Sequence, residues 1–133
     1  MAPLDAPALA ALQRGLAHFR AQDYFAAHDD WEEVWQDLSG HRRMFWQAMI
    51  QLVVGAYHFR NGNLRGCLGL WQKATQKCEA LMAHADTPTP EPVLRLHSVL
   101  QATLHLVQHG DDPLAHLHTF AWTVVSEAWF TLV

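Results

Sequence analysis

Cysteine is scarce in this chain of 133 residues: only Cys67 and Cys78 are present. If residues 64–83 form a helix, the two thiols lie ~16 Å apart along its axis. A disulfide needs Cα atoms within about 7 Å, so that helix excludes an intrachain bridge. Two reduced thiols suit a cytoplasm. Charge is also thin, at 17% of residues, and bases are outnumbered, nine against thirteen acids, for a formal charge of −4. The bases are scattered, and only Arg42 and Arg43 stand together. Without a basic face the chain is not expected to bind nucleic acid. No run reaches the roughly 18 apolar residues of a membrane span. The nearest, "FWQAMIQLVVGAY", is broken by two glutamines that mark a protein core. The N-terminus lacks the basic flank and unbroken apolar run of a signal peptide. Nucleophile elbows and glycine-rich phosphate loops are missing as well, and Ser39, Ser98 and Ser126 stand in ordinary contexts.

What is present is hydrophobic: half of the residues, arranged at helical spacing. The expectation is one domain over residues 1–133, all-α, a compact bundle of five to six helices. Helix one spans about 7–21, with Leu9, Leu12, Leu16 and Phe19 as its apolar stripe. Asp23 caps helix two, about 24–38, which Ser39-Gly40 ends. Helix three, about 41–60, is apolar nearly all round and is predicted to be the central buried helix. Its interior polar residues Gln47, Gln51 and His58 fall within a ~40° wedge and form a narrow seam. Gly62 and Asn63 stop that helix and start helix four, about 64–83, as an antiparallel hairpin. Gly66 and Gly69 in its first turns suggest a close helix crossing. The segment 84–92, with three prolines, reads as a linker. Helix five follows at about 92–109, and residues 93–133 form a C-terminal helical extension. For 114–133 helix is favoured over strand, because no strand partner exists. No repeat with a period of about 20–50 residues is evident, although the helix pairs resemble solenoid units.

The stretch "YFAAHDDWEEVW" sets His28 and Glu32 one helical turn apart, beside Tyr24, Trp31 and Trp35. Asp29, Asp30, Glu33 and Asp37 point away and are expected to be solvated. With helices two and three antiparallel, Glu32 comes level with Gln47 and Gln51, and His28 with Gln51. Two readings follow. In one, His28, Glu32, Gln51 and His58 form a satisfied buried network that fixes helix register. In the other, they line a small pocket for a ligand or a divalent metal, as facing helices of bundles do. Zinc wants three or four protein ligands, and His-x-x-x-Glu is not the zinc-protease motif. No metal or other cofactor is therefore assigned, with His28, Glu32, His58, His105 and His109 as weak metal candidates. His109 is equally a partner for the C-terminal dipole of helix five. Cys67, near a helix start, reads as a buried small hydrophobe rather than a reactive thiol.

Together with "FWQAMIQLVVGAYHFRNGNLRG", this stretch resembles an all-helical family, domain of unknown function family 309, over about residues 16–82. His28, Glu32, Trp35, Gln47, Gln51, His58, Gly62 and Asn63 fall on its pattern. Ala26 stands where the family tends to carry a carboxylate, and Asp29 where it usually has Glu. The resemblance implies a compact helical bundle and brings no established activity.

The leading functional expectation is a cytoplasmic, non-catalytic module that binds a protein partner or self-associates. Six tryptophans and the tail "AWTVVSEAWFTLV" offer more apolar surface than a small core needs. The alternative is a small-ligand or metal binder, or a hydrolase-like enzyme, using a site built from His28, Glu32, Gln47, Gln51, His58, Trp35 and Tyr24.

Overall fold

A computed structural model describes residues 4–83 and 88–119, and among them every regular element is a helix: α1 Ala6–Arg20, α2 Tyr24–Trp35, α3 Gly40–Arg60, α4 Leu64–Met82, α5 Glu91–Gln108 and α6 Pro113–Thr119. The starts follow from the caps. Asp5, Asp23 and Asn63 each accept from the backbone N–H three residues on, satisfying one of the donors a helix N-terminus leaves open. Each helix packs on its neighbours in sequence, so the described residues form three helical hairpins in tandem. The middle hairpin, α3–α4, has the most extensive contact. Helix α3 is central as expected, burying Phe45, Trp46, Ala48, Met49, Leu52, Val53 and Ala56.

Contrary to the reading that found no repeat, the first two hairpins are built on one pattern. Leu12, Gly15, His18, Phe19, Arg20, Asp23 and Trp31 return at the same spacing as Leu52, Gly55, His58, Phe59, Arg60, Asn63 and Trp71. The geometry returns with them. The Trp31 indole N–H donates to the carbonyl of Leu12 at 3.0 Å, and Trp71 donates to Leu52 at 2.9 Å. Gly15 and Gly55 lie beneath the indoles, where a Cβ would come within 2.1 Å and 2.2 Å of the ring nitrogens. The linking turns match as well. Asp23 N–H donates to His18 and Asn63 N–H to His58, both at 2.8 Å, and both capping residues have φ −92° and ψ 77°. The third hairpin repeats only the turn, with Asp111 N–H donating to Leu106 at 2.8 Å. Before each of these residues stands one with left-handed φ: Gln22 at 63°, Gly62 at 78° and Gly110 at 77°. The repeat escaped sequence reading because most positions between these anchors differ, and anchors spread over two helices make no continuous match.

Other expectations also change. Helix α2 stops at Trp35, before residue 38, because Arg43 takes over its carbonyls: one guanidinium nitrogen donates to Trp35, Gln36 and Leu38 at 3.4, 3.2 and 3.1 Å. The same guanidinium lies 3.9 Å over the Trp35 ring, whose N–H donates to Arg43 O at 3.0 Å. Gly69 marks no close approach and faces open space, whereas a Cβ on Gly66 would strike the capping Asn63 side chain and come within 3.1 Å of His58 on α3. Asp30 is not free in solvent. At 17% exposure it pairs with His18 at 2.7 Å and Arg14 at 3.7 Å, tying α2 to α1. The tail is helical through α6, and residues 120–133, with Trp122 and Trp129, lie outside the described residues.

The glycine–indole contacts generate a prediction. Gly15→Ala and Gly55→Ala each force a buried tryptophan aside, costing about 1–3 kcal/mol from overpacking, more where the indole N–H is left unpaired. Urea unfolding of the two variants checks this, with Gly69→Ala, at an open position, as the control that loses no stability.

Candidate functional site

Helix α2 presents His28 and Glu32 on one edge, and the pair closes on itself: His28 Nε2 lies 2.5 Å from Glu32 Oε2. The other ring nitrogen, Nδ1, is 3.2 Å from Asp29 Oδ1. An ionised carboxylate only accepts, so the ring serves both carboxylates only with a proton on each nitrogen. The pair is half-buried, His28 at 24% and Glu32 at 42% exposure. Phe25, on the preceding turn, has its ring 5.6 Å from that of His28 and 5.6 Å from that of Tyr57 on α3. Tyr57 in turn neighbours His58, 5.8 Å between ring centres. The result is a row of rings across the α2–α3 edge, flanked by the His28–Glu32 pair.

The predicted seam on α3 is divided among partners. Gln51 accepts from the Lys77 ammonium at 3.1 Å, so its amide serves the α3–α4 contact and not Glu32. His58 Nδ1 stands 3.3 Å from the Asn63 amide nitrogen, beside the turn that starts α4. Gln47 is half-buried on α3, and Trp35 is held by Arg43. Of the residues predicted to share the α2–α3 site, His28 and Glu32 meet directly. Side-chain direction around each helix axis decided the partners, which counting out from the turn does not supply.

Tyr24 belongs to a second constellation that sequence spacing did not assemble. It is 0% exposed, and its hydroxyl lies 2.6 Å from His118 Nε2, on α6 at the far end of the chain. The imidazole also packs on Phe19, 4.9 Å between ring centres. Arg60 from α3 covers the phenol ring at 4.8 Å and donates to the Gln22 carbonyl at 2.5 Å. Burial pushes the phenol up to about 12, with Arg60 partly opposing and Asp112 adding to the rise. Tyr24 therefore keeps its proton at neutral pH, and its hydroxyl and His118 Nε2 share one hydrogen bond whose direction follows the imidazole tautomer. Burial also lowers His118 below its ordinary value. The cluster clamps together the ends of four helices, α1, α2, α3 and α6. The two thiols are equally inert. Cys67 and Cys78 are free and buried, and burial pushes each up to about 12.

A cleft of about 450 Å³ opens between the start of α1 and the end of α2. Leu4, Pro7, Ala8, Val34 and Leu38 wall it, with Glu33 and Asp37 beside them and Arg42, only 7% exposed, among its lining. None of the sequence-predicted site residues lines it. Among the described residues no three His, Cys, Asp or Glu side chains stand where they would share a metal ion.

Two outcomes follow. Because the His28–Glu32 pair is half in solvent, His28→Ala and Glu32→Ala should each lower unfolding free energy by less than about 1 kcal/mol, as denaturant titration reads it. For His118 the folded value is depressed, so the unfolded chain takes up the proton first. Its stabilising contribution is complete above an imidazole's ordinary value of 6.5 and is lost as pH falls through the lowered folded value. Melting curves of wild type and His118→Asn should accordingly converge in stability as pH drops below about 6.5.

No curated protein and no solved structure matches the chain. Among the described residues no helix is long and apolar enough to cross a membrane. The model of the family described as domain of unknown function (DUF309) matches residues 12–70, from the first Trp-capped helix pair to the residue before Trp71. That span holds His28, Glu32, Gln47, Gln51, His58 and both glycines that seat the indoles. Over residues 12–70, a little under half of its length, the chain is similar to the DUF309 family, whose description names no activity.

Proposed function

We propose that the chain is a non-catalytic interaction module that meets a protein partner, or a second copy of itself, through the row of rings on the α2–α3 edge. The observation carrying this reading is Phe25. The residue is 55% exposed although its ring packs against His28 and Tyr57, so an apolar ring lies at the solvent boundary. An aromatic centre with a polar rim, here His28, Glu32 and Asp29, is how interface hot spots are composed. Among the described tryptophans, Trp31, Trp46 and Trp71 are almost wholly buried and do not contribute to this surface. Tandem helical hairpins suit the role, since stacked pairs present continuous side surfaces to partners. The two free, buried thiols fit a reducing cytoplasm.

Ligand binding or hydrolase-like chemistry at His28 and Glu32 is the competing reading, favoured by their 2.5 Å approach. Sedimentation velocity of wild type and Phe25→Asp, with in-cell crosslinking of both, separates the two. Concentration-dependent association, or a crosslinked partner, that the Phe25→Asp variant loses supports the interaction module. A wild-type chain that stays monomeric at every loading and crosslinks to nothing the variant fails to crosslink overturns it.

A further inference from the structure

The last turns of α5 carry His105 and His109 on one face, both exposed, with ring centres 4.0 Å apart and planes inclined at 36°. A backbone carbonyl only accepts, so the 2.8 Å contact between His109 Nδ1 and His105 O is an N–H donated by the ring. That bond fixes the tautomer of a neutral His109. The proton sits on Nδ1 and the lone pair on Nε2, directed away from the helix. Metal-ligating histidines almost always carry this arrangement, with the second ring nitrogen anchored to a carbonyl or carboxylate. The location adds to it. His109 is the C-cap of α5, where the helix's unpaired carbonyls carry partial negative charge and favour a cation. Asp111 and Asp112 follow in the adjoining turn.

We propose that His105 and His109 form a two-imidazole chelate for a borderline divalent transition ion of the zinc, nickel or copper class. Two neutral nitrogen ligands select such ions over magnesium or calcium, which need oxygen donors. The two rings occupy neighbouring coordination positions and leave the rest to water or an incoming ligand, an open and exchangeable site rather than a closed structural one. The site lies on a different helix from Phe25 and stands independently of the interaction module.

The test titrates the full chain with Ni²⁺ alone, followed by paramagnetic broadening of the histidine ring signals, and with Zn²⁺ alone by calorimetry. Wild type should show one saturable site, with the His105 and His109 signals broadening before those of the other histidines. His105→Gln and His109→Gln should each abolish that site while circular dichroism shows the helices intact. His97→Gln, on the same helix but facing Glu79, should retain it. Equal broadening of all the histidines, no saturable uptake, or unchanged uptake by the two variants would overturn the assignment.

Discussion

The indole N–H of Trp31 reaches the carbonyl of Leu12, and that of Trp71 the carbonyl of Leu52, only because no Cβ intervenes at Gly15 and Gly55. Much else follows from this contact. An indole buries on the order of 200 Å², roughly 5 kcal/mol of apolar transfer at 25 cal/mol per Å² as an upper value. The gain depends on the N–H finding an acceptor within the core. A helix carbonyl beneath a glycine supplies one without breaking the helix, because a carbonyl oxygen accepts twice. The pair of contacts sets the distance and rotation at which each hairpin closes. The Trp31 ring also meets Phe19 and Trp46, so the first hairpin is joined to α3 through the same residue.

The two hairpins diverge where their surroundings differ. The turn of the first receives Arg60 and His118, which cover Tyr24 completely. Leu64 holds the matching place in the second hairpin and is half exposed beside a groove formed with Phe59, Val107 and Asp111. The matching histidines diverge too: His18 pairs with Asp30 inside its own hairpin, while His58 turns toward Asn63. A shared scaffold thus carries unlike polar groups, and the polar groups, not the scaffold, distinguish one face of the molecule from another.

Of the groups able to do acid, base or nucleophilic work, those drawn deepest into the core are held neutral. Tyr24 and the two thiols lie far above neutral pH through burial, and the His118 nitrogen is occupied by the phenol. Among the described residues the Phe25 ring and the His105–His109 pair at the end of α5 are exposed, and the proposed interface and the proposed chelate are built on them.

Periodicity and capping chemistry by themselves determined the helices. Apolar steps of three and four residues, Asp and Asn at helix starts, and proline and glycine at stops are local and act within a turn or two of chain. They marked α1 through α5 to within a few residues and the centrality of α3. The approach of His28 to Glu32 was legible for the same reason, being one turn of one helix. What only the tertiary structure decided was which side chains meet across helices. Gln51 went to Lys77, Asp30 to His18, Tyr24 to His118 and Arg43 to the end of α2. Each of these pairings depends on the rotation of one helix about its axis relative to the next. Helix rotation is set by how whole side chains such as Trp31 and Trp71 seat against glycine-lined backbone, a fit in three dimensions that residue spacing along the chain does not encode.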